Sequence, residues 1–209
     1  MRFLVIEGNI GVGKTTLSKK IAEEYNAKLI LEQFADNPFL PKFYADQDRY
    51  SFPLELSFLA DRYNQTKNEI LNPDLFHSFL VADYYFIKSS IFAQNTLKPD
   101  EYNLFRRIFG IISDSIPRPD IYVYLHASTN RLLENIQKRG REYEQNIEAD
   151  YLKRIEQGYF NYFKKTDDFP IVIIDINNID FVHNPDHYQL LKEIVFKSDY
   201  KLGVNRIIM

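Results

Sequence analysis

Short apolar runs alternate along the chain with stretches whose apolar residues recur at helical spacing. Phe3 to Ile6 is an aromatic and β-branched run that reads as a first strand. Thr15 to Tyr25 then places Leu17, Ile21, Ala22 and Tyr25 on one helical face. Lys28 to Leu31 is a second short strand, and the two prolines between Asp36 and Pro41 are expected to break structure. Leu54 to Leu71 reads as a long helix stopped by Asn72-Pro73, followed by a third strand over Phe76 to Val81. Helices are expected over Tyr85 to Phe92 and Glu101 to Ser115. A fourth strand follows at Ile121 to Leu125, then a helix from Ser128, a good N-cap, to Lys138. Asp150 to Phe163 is helical, Ile171 to Ile174 a fifth strand, and His187 to Phe196 the last long helix. Lys201 to Met209 is open between an ordered edge and a tail.

This alternation, with strands that are nearly all apolar, predicts an α/β fold in which helices cover a five-stranded parallel sheet. A chain of 209 residues, 45% hydrophobic, suits a single domain over 1–209 with a short lid. The aromatic load rests on 15 Tyr and 17 Phe with no Trp, so some tyrosine hydroxyls are expected to line a polar cleft.

A net charge of −3 offers no basic face for nucleic acid, so no nucleic-acid partner is expected. The absence of cysteine removes disulfides, thiolate catalysis and Cys-based metal sites. No run approaches the ~18–20 apolar residues that span a bilayer, and Phe3 to Ile6 is too short for a signal peptide. The expectation is a cytoplasmic protein without a membrane partner.

Chemistry enters at GNIGVGKTT. Gly8, Gly13, Lys14 and Thr15 match the phosphate-loop pattern GxxxxGK[ST], after an expected strand and at the start of an expected helix. Seven glycines occur in the chain, and Gly8, Gly11 and Gly13 fall in this stretch, which separates it from a βα turn that merely carries a lysine. The segment Gly8, Asn9, Ile10, Gly11, Val12, Gly13, Lys14, Thr15 and Thr16 is expected to bind ATP. Its backbone N–H groups and the helix N-terminus would cradle phosphate, Lys14 would reach the β- and γ-phosphates, and Thr15 would ligate Mg2+. The loop does not name the acceptor.

Glu32 follows the second strand, where a parallel sheet presents ligands, and can accept a proton or hydrogen bond from an acceptor hydroxyl. Together, EQFADNPFLPKFY and the GNIGVGKTT loop resemble the deoxyribonucleoside kinase family, its bacterial members in particular, over most of the chain. The resemblance implies a P-loop kinase that transfers the γ-phosphoryl of ATP to the 5′-hydroxyl of a deoxynucleoside. Glu32 would activate that hydroxyl and Tyr44 would hold the sugar 3′-hydroxyl.

FPLELSFLADRYNQ resembles the family's base-reading helix. Glu55 and Arg62 are seven apart, two turns along one face, so both can point into one pocket. The family commonly has glutamine at Glu55. A carboxylate only accepts hydrogen bonds, and guanine offers two adjacent donors, N1–H and its 2-amino group. With Arg62 donating to O6 or N7, the expected substrate is a purine deoxynucleoside, deoxyguanosine ahead of deoxyadenosine. In ADYYFIKS, Asp83 matches the acidic member of the family's acidic-Arg-Ser triplet, as catalytic residue, substrate contact or magnesium ligand. Tyr84 stands where arginine is expected, and Lys88 is a candidate for the missing cation or for a base contact.

KRGREYEQ matches an Arg-rich lid. By resemblance Arg139 and Arg141 would contact phosphates and Glu144 the 3′-hydroxyl, while Asn135 replaces a further lid arginine. Asp175 to Phe181 resembles the loop that frames the ATP base. The family also implies a homodimer. A nucleoside monophosphate kinase would need basic residues at the acceptor. A regulatory guanine-nucleotide module would need an Asn-Lys-x-Asp motif, which the chain lacks.

Overall fold

The computed structural model describes residues 2–33, 37–71, 76–197 and 199–208. Six strands make one parallel sheet in the order β2-β3-β1-β4-β5-β6: β1 (Phe3–Gly8), β2 (Lys28–Ile30), β3 (Leu80–Ala82), β4 (Ile121–His126), β5 (Pro170–Asp175) and β6 (Gly203–Ile207). The expectation of five strands is therefore corrected. β6 pairs with β5 from Pro170↔Gly203 to Ile174↔Ile207 at an edge. Its sequence, GVNRI, carries no apolar run because only one side is hydrogen-bonded and alternate residues face solvent.

Helices α1 (Lys14–Tyr25), α2 (Leu40–Ala45), α3 (Gln47–Gln65), α4 (Lys88–Thr96), α5 (Pro99–Ser113), α6 (Thr129–Arg139), α7 (Ala149–Phe163) and α8 (Pro185–Val195) connect the strands. Helix α2 lies where prolines were expected to break structure. Pro41 occupies its first turn, where no intrahelical N–H is needed and the fixed φ suits a helix start. Helix α3 begins seven residues before the expected Leu54, capped by the Asp46 side chain on the Arg49 N–H, and passes through Pro53. It runs into a π-helical turn over Thr66–Ile70. The stop expected at Asn72-Pro73 lies outside the described residues. Ser128 caps α6 as expected, its hydroxyl accepting from the Arg131 N–H.

The core lies on both faces of the central strands. Leu4, Val5, Ile6, Val123, Leu125, Val172 and Ile174 are completely buried, each such side chain contributing roughly 1.5–3 kcal/mol. A second apolar cluster joins Leu59 of α3, Phe86, Ala93 of α4 and Phe105 of α5. It fixes α3 and α4 as a wall beside the carboxyl ends of β1, β2 and β3. β1 lies between β3 and β4, so chain connections diverge there and leave a crevice at its carboxyl end. No helix among the described residues is long and apolar enough to cross a membrane.

Candidate active site

The loop after β1 turns on glycines. Gly13 has φ +98°, and a Cβ there would stand 2.8 Å from the Phe181 ring. Gly8 lies under Leu125, whose carbonyl oxygen would be 2.5 Å from an added Cβ. Buried Asn9 donates to the Leu152 carbonyl (2.7 Å) and accepts from the Ile10 N–H (2.9 Å), tying the loop to α7. Asn135 donates to the Gly11 carbonyl (2.9 Å), so this residue braces the loop from α6. Val12 is buried, Ile10 and Gly11 line the crevice, and Thr16 sits half-buried in the first turn of α1. Lys14 Nζ donates to the carbonyls of Gly8 (2.9 Å) and Asn9 (3.0 Å). Burial and then the nearby Lys88 charge lower its pKa to about 8.

Acidic groups from β2 and β3 meet this loop. Thr15 Oγ1 donates to Asp83 Oδ2 at 2.5 Å, and Asp83 Oδ1 accepts from the Glu32 N–H at 2.8 Å. Asp83 thus couples the loop to Glu32. It follows β3 directly and does not cap α4, which starts five residues later. Glu32 is held from two sides. Arg62 donates through Nε (3.1 Å) and Nη2 (2.5 Å) to Oε1, and Lys88 donates to Oε2 at 2.5 Å. Burial alone would raise the Glu32 pKa. Lys88 and Arg62 outweigh it and hold the carboxyl well below its ordinary range. Arg62 Nη1 also donates to Ser89 Oγ at 2.7 Å. The position where the family carries arginine is turned away: the Tyr84 hydroxyl donates to Gln65 Oε1 at 2.7 Å.

Beyond Glu32, α3 and α4 form a slot. Glu55 is 2% exposed and accepts from Thr96 Oγ1 at 2.9 Å. Phe58, Phe92 and Tyr151 line the same crevice, and the Arg62 guanidinium lies over the Phe58 ring, 4.9 Å from its centroid. At the other side, Tyr44 is stacked on Tyr143 with centroids 5.9 Å apart. Burial and the neighbouring Glu144 charge raise the Tyr44 pKa. Glu144, itself buried, receives Arg139 on Oε2 and Arg141 on Oε1, the latter at 3.2 Å. The crevice therefore brings together Lys14, Thr15, Glu32, Tyr44, Glu55, Arg62, Asp83, Lys88, Arg139, Arg141 and Glu144.

Asp175 stands apart. Its Oδ1 accepts from the Asn177 backbone and side chain (both 2.9 Å), and its Oδ2 faces His126 Nδ1 at 3.3 Å. It shapes the turn that leads to Phe181 over Gly13. His126 Nε2 lies 2.9 Å from Glu156, and that bond is the main reason its pKa is raised. Sequence reasoning missed Glu7, Thr96, Phe92 and Tyr151. Glu7 is completely buried beside the loop, accepting from the N–H groups of Gly8 and Tyr85 and from the Tyr159 hydroxyl at 3.0–3.1 Å. Burial raises its pKa. A carboxylate in the otherwise apolar FLVIEG strand was the available signal.

A family model described as "Deoxynucleoside kinase" matches residues 4–198. The chain belongs to the deoxynucleoside kinase family. It is an enzyme that phosphorylates deoxynucleosides. The kinase is 34% identical over 194 residues to a deoxyguanosine kinase of Bacillus subtilis (strain 168), covering 90% of this chain and 92% of that one. It is 28% identical over 188 residues to a deoxyadenosine/deoxycytidine kinase of the same strain, covering 87% and 85%. A deoxyadenosine kinase from M. mycoides solved with bound dATP superposes with a TM-score of 0.80 at 23% identity, over 93% of this chain and all of that one. That likeness concerns the fold.

Proposed function

We propose that this kinase transfers the γ-phosphoryl of ATP to the 5′-hydroxyl of a purine deoxynucleoside, deoxyguanosine ahead of deoxyadenosine, as one catalytic domain in cytoplasmic purine salvage. The observation that carries the reading is Glu32, gripped by Arg62 and Lys88 at the edge of the crevice that also holds Lys14 and Thr15. A nucleoside would lie with its base between Phe58 and Phe92 and its 3′-hydroxyl at Tyr44 and Glu144. Its 5′-hydroxyl would then meet Glu32.

Glu32 accepts a hydrogen bond from that hydroxyl and orients it in line with the γ-phosphate. With its basicity lowered by two cations, Glu32 suits a loose transition state in which the proton leaves late. The Gly8-to-Thr16 segment acts as the phosphate loop, and Lys14 exchanges the carbonyls of Gly8 and Asn9 for phosphate oxygens. Arg139 and Arg141, with the turn at Glu142–Glu144, form the lid, and their guanidinium groups neutralise charge spreading over the transferred group. The Thr15 hydroxyl and Asp83 carboxylate, 2.5 Å apart in the crevice, are a hard oxygen pair of the type magnesium takes. Bound there, Mg2+ would supply positive charge to the β- and γ-phosphates. The loop of Asp175 to Phe181 frames the ATP base.

The purine preference rests on Glu55. Its carboxylate matches the adjacent N1–H and 2-amino donors of guanine, and Arg62 has two N–H groups beyond those aimed at Glu32 and Ser89. The name of the Bacillus subtilis deoxyguanosine kinase supports the same direction. A monophosphate acceptor is disfavoured because the acceptor-side cations Arg62 and Lys88 are engaged with Glu32. Exposed Leu104 and Ile111, seven apart on α5, support the homodimer.

The test is incubation with labelled ATP, magnesium and each of the four deoxynucleosides. The expected result is labelled deoxyguanosine monophosphate formed with the highest kcat/KM. No monophosphate from any nucleoside overturns the reading, and deoxycytidine or thymidine as best substrate overturns the role of Glu55.

A further inference from the structure

Thr96 Oγ1 lies 2.9 Å from Glu55 Oε1 and 3.0 Å from the Phe92 carbonyl oxygen. A hydroxyl has one proton, so it donates to one of these acceptors at a time. When Glu55 is ionised, Thr96 turns its proton to the carboxylate. When Glu55 is neutral, Thr96 turns its proton to Phe92 or to the Glu55 carbonyl oxygen, which leaves the Glu55 O–H for a bound base. The Thr96 hydroxyl accommodates both protonation states of Glu55 without moving a heavy atom.

Glu55 is also poised between those states. The ion pairs of Arg62 and Lys88 go to Glu32, and among the described residues no cationic nitrogen pairs with Glu55. The groups facing it are Arg62 from its own helix, Thr96 and Lys88 from α4, Glu32 after β2 and Tyr151 from α7. Burial dominates and pushes its pKa up to about 7, against the opposing pull of Arg62 and the Thr96 hydrogen bond.

We propose that Glu55 reads two purines through its proton: ionised it selects guanine, and neutral it selects adenine. The ionised form presents two acceptors, which suit the paired N1–H and amino donors of guanine. The neutral form presents one O–H donor and one carbonyl acceptor, the pattern of a carboxamide. That pattern matches adenine, whose 6-amino donor sits beside a ring nitrogen acceptor. Placing adenine against the carboxylate sets lone pairs against each other, and placing guanine against the acid leaves a donor facing a donor. Deoxyadenosine binding therefore takes up a proton at Glu55 and deoxyguanosine binding does not. The inference rests on the purine kinase reading above and adds to it a pH-dependent choice of base.

The test is the ratio of kcat/KM for deoxyguanosine over deoxyadenosine from about pH 5.5 to about pH 8.5, because titrations shared by both substrates cancel in a ratio. The ratio should rise with pH, approaching tenfold per unit. In Glu55→Gln the ratio should be flat and favour deoxyadenosine, because an amide always carries both a donor and an acceptor. Thr96→Val removes a donor from the ionised form, so its curve should move to higher pH. A wild-type ratio flat within about twofold, with both nucleosides phosphorylated, overturns the proton switch alone. An unchanged slope in Glu55→Gln overturns it as well. Failure to phosphorylate either nucleoside overturns the purine kinase reading and the switch with it.

Discussion

The ammonium of Lys88 lies 2.5 Å from Glu32 Oε2, opposite the Arg62 guanidinium on Oε1. Tyr84, where the family has arginine, points instead at Gln65, and a lysine one helical turn later supplies a cation to the carboxylate. Lys88→Met keeps an unbranched side chain of similar length but removes that charge, along with the ammonium's contact over the Phe92 ring. Arg62 still pairs with Glu32, so the protein should fold. The expected result is a fall in kcat of about ten- to a hundredfold with a smaller change in KM, read from steady-state kinetics. Unchanged kcat would remove Lys88 from the positioning of Glu32.

Tyr44 and Glu144 come from elements far apart in the chain and converge at the proposed sugar end of the crevice. Tyr44→Phe deletes only a hydroxyl. It should lower kcat/KM for 2′-deoxynucleosides by about fivefold, the net worth of one hydrogen bond of about 1 kcal/mol. Analogues lacking the 3′-hydroxyl should bind wild type and variant equally. Equal losses for both ligand types would mean that Tyr44 acts through packing.

The elements legible in the sequence are those whose cause is local. The phosphate-loop pattern is a run of neighbours, and the shared face of Glu55 and Arg62 follows from helical periodicity. β6 was not legible, because an edge strand of sequence GVNRI lacks the apolar run that marks a buried one. α2 was hidden because its proline serves as a helix start. The pairings that give the site its chemistry join residues distant in sequence. Lys88 meets Glu32 across 56 positions and Thr96 meets Glu55 across 41. No spacing rule links such pairs, so Thr96 stayed invisible, and Arg62, expected as a base contact, gave no sign of its hydrogen bonds to Glu32 and Ser89.

Two glycines with positive φ should respond differently to alanine. At Gly8 an added Cβ meets the Leu125 carbonyl at 2.5 Å, whereas at Gly140 nothing lies within 4 Å. Gly8→Ala should destabilise by about 2–4 kcal/mol, from overpacking against backbone together with backbone strain. Gly140→Ala should cost about 1 kcal/mol from strain alone. Chemical denaturation of both variants checks the order, and equal losses would contradict the contact at Gly8.

His126, between Glu156 and Asp175, has a pKa raised mainly by its hydrogen bond to Glu156. Its folded pKa exceeds its unfolded one, so the charged His126 stabilises fully below about pH 6.5, the unfolded value. That stabilisation is lost as pH rises through the folded pKa. The site is partly exposed, so the effect is roughly 1 kcal/mol or less, a few degrees in Tm. Wild type should exceed His126→Gln in Tm near about pH 6 and lose the advantage at alkaline pH. An advantage that grew with pH would contradict this charge state.

Glu32 bears the central claim, and Glu32→Gln tests it most directly. Glutamine keeps the size of the side chain but accepts far more weakly from a hydroxyl in the transition state. Deoxyguanosine should still bind with a Kd within a few-fold of wild type, while kcat with ATP and magnesium should fall by about a thousandfold. A variant that turned over deoxyguanosine at the wild-type rate would contradict the assignment of Glu32 as the group that activates the 5′-hydroxyl.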